Sequence, residues 1–133
     1  MKRILVAYDG DGPAHRALEQ GAELAEAFGA ELGVVSVTPW RDGRLPGDVW
    51  DDPDAHADAL TSASDWLNQH GVSATLLSPA GDPGKTIETV AEAGDFDTIV
   101  VGTRGLGSIG RFMQGSVSEH LATNSKATVV IAR

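Results

Sequence analysis

The sequence contains no cysteine among its 133 residues, which excludes disulfide staples, thiolate metal sites and thiol nucleophiles together. No apolar run approaches the roughly 20 residues that a membrane-spanning helix needs. The opening MKRILVAYDG passes into an acidic turn without a small-residue cleavage site, so a cytoplasmic protein is expected, with no membrane partner. Basic residues are scarce: Lys2, Lys85 and Lys126 stand against twelve aspartates, and the formal net charge is -9. Duplex binding is driven by Lys and Arg neutralising phosphates, so nucleic acid is not an expected partner. The acidic bias suits a salt-adapted host or a merely acidic protein equally.

The four histidines, His15, His56, His70 and His120, are dispersed without paired helical spacing. Each reads as a surface or boundary residue, and a metal cage built from side chains is not expected.

The chain is long enough for one core and too short for two ordinary ones, so a single domain over 1–133 is expected. Short apolar runs at 4–7, 34–35, 99–101 and 129–131 alternate with helical patterns. Strands alternating with helices imply an α/β fold, a parallel sheet with helices on both faces. Strands are predicted at 3–8, 31–37, 72–78, 97–102 and 127–132, the third alternating polar and apolar residues as a less buried strand does. Helices are predicted at 13–28, 54–70, 83–93 and 115–125. The first carries Ala14, Ala17, Leu18, Gly21, Ala22, Ala25 and Phe28 at three- and four-residue steps, with Pro13 in its first turn and Gly29 at its end. The second places Ala55, Ala59, Ala63, Trp66 and Leu67 on one face. Residues 39–53, PWRDGRLPGDVWDDP, carry three prolines and exclude a regular element; Trp40 and Trp50 there either line a pocket or anchor the loop.

GDPGKT at 81–86 resembles the end of a Walker A loop, but the position five before its Gly-Lys pair is Pro79 rather than glycine. The better reading is a helix start: Asp82 caps, Pro83 takes the first turn, and Ile87, Val90 and Ala91 face the core.

The most informative stretch is VVGTRGLGSIGRFMQGSVSEHL, where Gly102, Gly105, Gly107, Gly110 and Gly115 lie between a strand-like run and a helical one. Glycines let backbone amides approach a phosphate, and a helix beginning near Ser116 offers unpaired N–H groups and a positive dipole end. The alternative is a plain surface connection, although long structureless loops in compact domains are usually functional. Because the overall charge repels a polyanion, such a site must rely on local donors: the loop amides with Arg104 and Arg111. A second candidate contact is the end of the first strand, Ala7, Tyr8, Asp9 and Gly10. Ligands of open parallel sheets bind beyond the carboxyl ends of the strands. There Asp9 can accept ribose or adenine hydrogen bonds, hold a phosphate-bound cation, or serve as a plain turn or cap.

Two residues separate Gly102 from Gly105, and nine more lead to Gly115-Ser116. With this spacing the sequence resembles the universal stress protein family, in particular its ATP-binding branch, over essentially the full chain. The resemblance implies a single Rossmann-like domain of the adenine nucleotide alpha hydrolase-like kind, with a five-stranded parallel sheet and a crevice between the first and fourth strands. It implies ATP, with Mg2+, as ligand. Asp9 matches the family's aspartate after the first strand, and Val37 an apolar position beside adenine. Val101 and Gly102 match the strand end against the nucleotide, and Gly105, Gly115, Ser116 and Val117 match ribose and phosphate contacts. Asp11, where many members have Ser, departs from the pattern, and 39–53 follows no family pattern. The resemblance also implies a homodimer, often through the last strand; independently, 128–132 would be a flat apolar edge if unpaired, and such edges tend to be covered.

Phosphoryl chemistry needs a positioned base or nucleophile. Ser116 and Ser118 are near the expected phosphates, but no histidine or lysine is placed to activate them, and Glu119 and His120 lie one turn further on. A dimeric regulatory module that binds nucleotide, with at most slow hydrolysis or autophosphorylation, is therefore expected. A ligase of the related pyrophosphatase group would need an early Ser-Gly-Gly-type loop where this chain has Tyr-Asp-Gly-Asp-Gly-Pro. A nucleotide-free interaction protein of the same fold would lack the glycine spacing.

Overall fold

The computed structural model describes residues 1–8, 12–39, 53–102 and 112–133. Its elements follow the order β1 (Arg3–Ala7), α1 (Gly12–Phe28), β2 (Glu31–Val35), β3 (Thr38–Pro39), α2 (Pro53–Gln69), β4 (Ala74–Leu77), β5 (Ala80–Gly81), α3 (Pro83–Ala93), β6 (Thr98–Gly102), α4 (Phe112–Asn124) and β7 (Thr128–Ala132). Five strands form one sheet in the order β4-β2-β1-β6-β7, and every pairing is parallel.

Continuous apolar runs mark strands covered on both faces: Ile4, Leu5 and Val6 of β1 are fully buried, as are Ile99 and Val100 of β6. Alternation along the strands divides the core in two. Ile4, Val6, Leu32, Val34 and Val100 meet Ala17 and Leu18 of α1 and Leu60, Ala63 and Leu67 of α2. Leu5, Val35, Ile99 and Val101 meet Ile87 and Ala91 of α3 and Val117 and Leu121 of α4. Helices therefore cover both faces, two on each. Burying each of these aliphatic side chains contributes about 1.5–3 kcal/mol.

The helix ends follow local chemistry. Gly29, at φ +63°, takes the left-handed conformation that lets Ala30 N donate to Ala25 O at 2.9 Å, closing α1. At α3 the Asp82 side chain accepts from Lys85 N at 3.2 Å, with Pro83 at the start, and Ile87 and Ala91 are buried. GDPGKT is thus a capped helix start.

Four expectations need correction. Val37 falls outside β2, which stops at Val35. The β2–β4 ladder nevertheless continues, Ser36 N donating to Leu77 O (2.9 Å) and Thr38 N to Pro79 O (3.0 Å), into the parallel β3–β5 pair. Pro39, expected to open an irregular loop, pairs with Gly81. The core face of α2 is rotated by about one residue: His56, Leu60, Ala63 and Leu67 are buried, while Ala59 and Trp66 only pack at its margin. Most consequentially, α4 begins at Phe112 rather than near 115. Phe, Met and Gln at 112–114 are adequate helix formers, and one glycine costs a helix only about 1 kcal/mol.

At the amino ends of the strands, the Asp97 carboxylate accepts from Lys2 N (2.7 Å), Arg3 N (3.2 Å) and Thr98 Oγ1 (2.8 Å). Arg3 in turn donates from Nε to Gly94 O at 2.8 Å, lies 4.8 Å over the Phe96 ring and pairs with Glu31. This network staples β1 to β6 at the end of the sheet opposite the candidate site. No helix among the described residues is long and apolar enough to cross a membrane.

Candidate functional site

The chain leaves β1 for α1 on one face and leaves β6 for α4 on the other, while β1 and β6 are hydrogen-bonded neighbours. Connections that part in opposite directions from adjacent parallel strands open a crevice beyond their carboxyl ends, the usual ligand position in such sheets. This switch point lies between the first and fourth strands of the large sheet, where the resemblance implied the crevice.

Four of the expected site residues share the α3–α4 face of the sheet. Val37, Val101 and Val117 are buried members of one apolar cluster with Leu5, Val35, Ile87 and Leu121, and Ala7 packs against it half-buried. They arrive from three elements and one connection: Ala7 ends β1, Val37 lies between β2 and β3, Val101 is next to last in β6, and Val117 stands in the second turn of α4. Buried Gly102 closes β6 in register with Ala132. The register Val6↔Val100 sets Ala7 level with Val101 across the β1–β6 boundary.

Gly115 and Ser116 lie inside α4. The unpaired N–H groups of a helix are those of its first turn, so the donor edge of α4 opens at 112–114 and these two residues stand directly behind it. Asp9, Arg104 and Gly105 lie outside the described residues, as do Asp11, Trp40, Trp50, Gly107, Gly110 and Arg111.

Of the groups weighed for chemistry, His120 is committed elsewhere. Its Nε2 donates to the Glu88 carboxylate at 2.9 Å, and its ring lies against Gly84, joining α4 to α3. Asn124 Nδ2 donates to His120 O at 2.9 Å. Glu119 is exposed and Ser118 buried. Among the described residues, no group of three or more His, Asp or Glu could hold a metal ion.

The sequence reading missed a buried polar pair. Ser36, 1% exposed, and His56, 3% exposed, share a hydrogen bond of 2.6 Å between Oγ and Nδ1. His56 is therefore neither a surface nor a boundary residue. Two signals pointed to it: Ser36 continues the core-facing alternation of Leu32 and Val34, and His56 lies four residues before Leu60 and seven before Ala63 on a helix.

The family model for the universal stress protein family matches residues 1–133. A universal stress protein from Thermus aquaticus is 31% identical, with 99% of this chain and 98% of the relative aligned. Among solved structures, universal stress protein UspA from Lactobacillus plantarum superposes with a TM-score of 0.81 at 24% identity, over 99% of this chain and 97% of that one. The universal stress protein of Archaeoglobus fulgidus in complex with dAMP gives 0.77 at 23%, over 100% and 98%. Two further structures of this fold are described as a complex with cAMP and as having AMP bound. On the full-length match, the chain belongs to the universal stress protein family.

Proposed function

We propose that this protein binds an adenine nucleotide, ATP with Mg2+, beyond the carboxyl ends of β1 and β6, and works as a dimeric regulatory module rather than a fast enzyme. One observation carries the reading: Ala7, Val37, Val101 and Val117, far apart in sequence, join one apolar cluster on the α3–α4 face, in a chain that carries the Gly102-x2-Gly105-x9-Gly115-Ser116 spacing. Structures of the same fold that hold dAMP, cAMP and AMP support an adenylate as the ligand class.

In this reading Ala7, Val37 and Val101 flank the base, and Asp9 takes the ribose or a phosphate-bound cation. Gly102, Arg104, Gly105, Gly115, Ser116 and Val117 face the ribose and phosphates, with α4 presenting its first-turn amides to the anion. Burial of the base against an apolar wall supplies affinity, while a few donors orient it. Next to β6, β7 is an edge strand with Ile131 40% exposed, which supports a second copy as its cover.

Isothermal titration with ATP, ADP and AMP, with and without magnesium, tests the proposal. Binding without rapid turnover is expected, and Gly105→Trp should abolish it. Absence of heat with every adenylate, or unaltered affinity in that variant, overturns the site; rapid pyrophosphate release would favour ligase-type chemistry.

A further inference from the structure

The Ser36–His56 pair stands at an odd place for a core interaction. A hydroxyl and an imidazole, each at least 97% buried, lose hydration that hydrogen bonding must repay. Leucine and valine fill the neighbouring positions at no such cost. A serine beside a histidine is also how nucleophilic sites begin, but this burial leaves no approach for a substrate.

What the pair does is mechanical. Ser36 is the residue at which β2 stops and the bridge to β3 begins, and its neighbour Val37 turns to the opposite face, into the α3–α4 cluster. His56 belongs to the first turns of α2. Their bond ties the start of that helix to the two-residue break between β2 and β3. On the other side, Ser36 N and Thr38 N donate to Leu77 O and Pro79 O. The backbone around Val37 is thereby held from α2 on one side and from the β4–β5 segment on the other.

We propose that His56 is a positioning residue for the nucleotide: acting through Ser36, it fixes the Val37 backbone and so the wall on which the base packs. This rests on the adenylate reading above. Outside a regular strand, the backbone at 36–38 is held by the Leu77 and Pro79 carbonyls and by the packing of Val37; the bond to His56 adds a directional point from the α2 side.

The test uses the full chain and AMP as titrant, in Ser36→Ala, His56→Leu, the double variant and His56→Asn, whose amide places a polar atom where Nδ1 stands. Ser36→Ala and His56→Leu should each weaken AMP about tenfold, the order of one lost buried hydrogen bond. The double variant should be no worse than the weaker single one, since both remove the same bond. His56→Asn should recover affinity to within threefold of wild type. Without nucleotide, the Thr38 amide should exchange faster in Ser36→Ala while that of Leu5 is unchanged, which separates local positioning from general loss of stability. Wild-type binding with both single variants inside threefold overturns this inference alone, as does failure of His56→Asn to recover. A wild-type protein that binds no AMP overturns both it and the adenylate reading.

Discussion

Gly21 sits in the middle of α1, where glycine is ordinarily a weakness: replacing it with alanine on an exposed helix face gains about 1 kcal/mol. Here the opposite sign is expected. A Cβ built on Gly21 would stand 2.3 Å from Val6 Cγ2 and 3.7 Å from Leu32 Cδ1. Val6 is fully buried on β1, and its branched side chain has few rotamers into which to withdraw. Overpacking of this kind costs about 1–3 kcal/mol, so the clash outweighs propensity and Gly21→Ala should lose about 1 kcal/mol net. Val6→Ala alone opens a cavity and loses about 2 kcal/mol, from two buried methyl groups at about 0.8 kcal/mol each plus the void. In the double variant the new methyl occupies part of that void, so the two losses should fall short of additivity by about 1 kcal/mol or more. Urea unfolding followed by circular dichroism, with unchanged m values, reads all three. A stabilised Gly21→Ala protein, or strict additivity, would refute the close approach of α1 to β1.

The Asp97 staple gives a pH dependence. Burial pushes its carboxyl up, yet the hydrogen bonds from Lys2 N, Thr98 Oγ1 and Arg3 N, with the amino-terminal charge, leave it below its usual range. A depressed folded-state value means its contribution is present above the ordinary carboxylate range and is lost as pH falls through the folded value. Asp97→Asn should therefore lower the urea midpoint at pH 7 and converge on wild type in strong acid; a constant difference at all pH values would contradict this. Leu121, fully buried on the core face of α4, should lose about 2–5 kcal/mol on truncation to alanine, and nucleotide affinity with it; a folded variant with intact affinity would detach α4 from the site. Ile131→Lys should convert a dimer to monomer in analytical ultracentrifugation, whereas wild type sedimenting as a monomer at micromolar concentration removes β7 as an interface.

The sheet was legible because strands buried on both faces must be apolar without interruption, as Ile4–Ala7 and Ile99–Val101 are. Asp82 and Gly29 announced helix ends through chemistry that few other residues supply. The switch point between β1 and β6 was implied by the family resemblance and agrees with the topology, and the proposed site residues were reached by matching a glycine spacing rather than by reading packing. Three features were opaque for physical reasons. The face of α2 was misjudged because His56 occupies a core position, and polarity alone assigns a histidine to the surface. Two-residue strands such as β3 and β5 carry no periodicity to detect. Gly115 looked like the boundary of α4 although a single glycine does not stop a helix that Phe112 and Met113 have begun.

The most direct test of the central claim is a crystal structure of the protein grown with ATP and magnesium. The base is expected between Ala7, Val37 and Val101, with the phosphates at Gly105 and the first turn of α4. A nucleotide bound elsewhere, or crystals at saturating ATP with that crevice closed, would contradict the account.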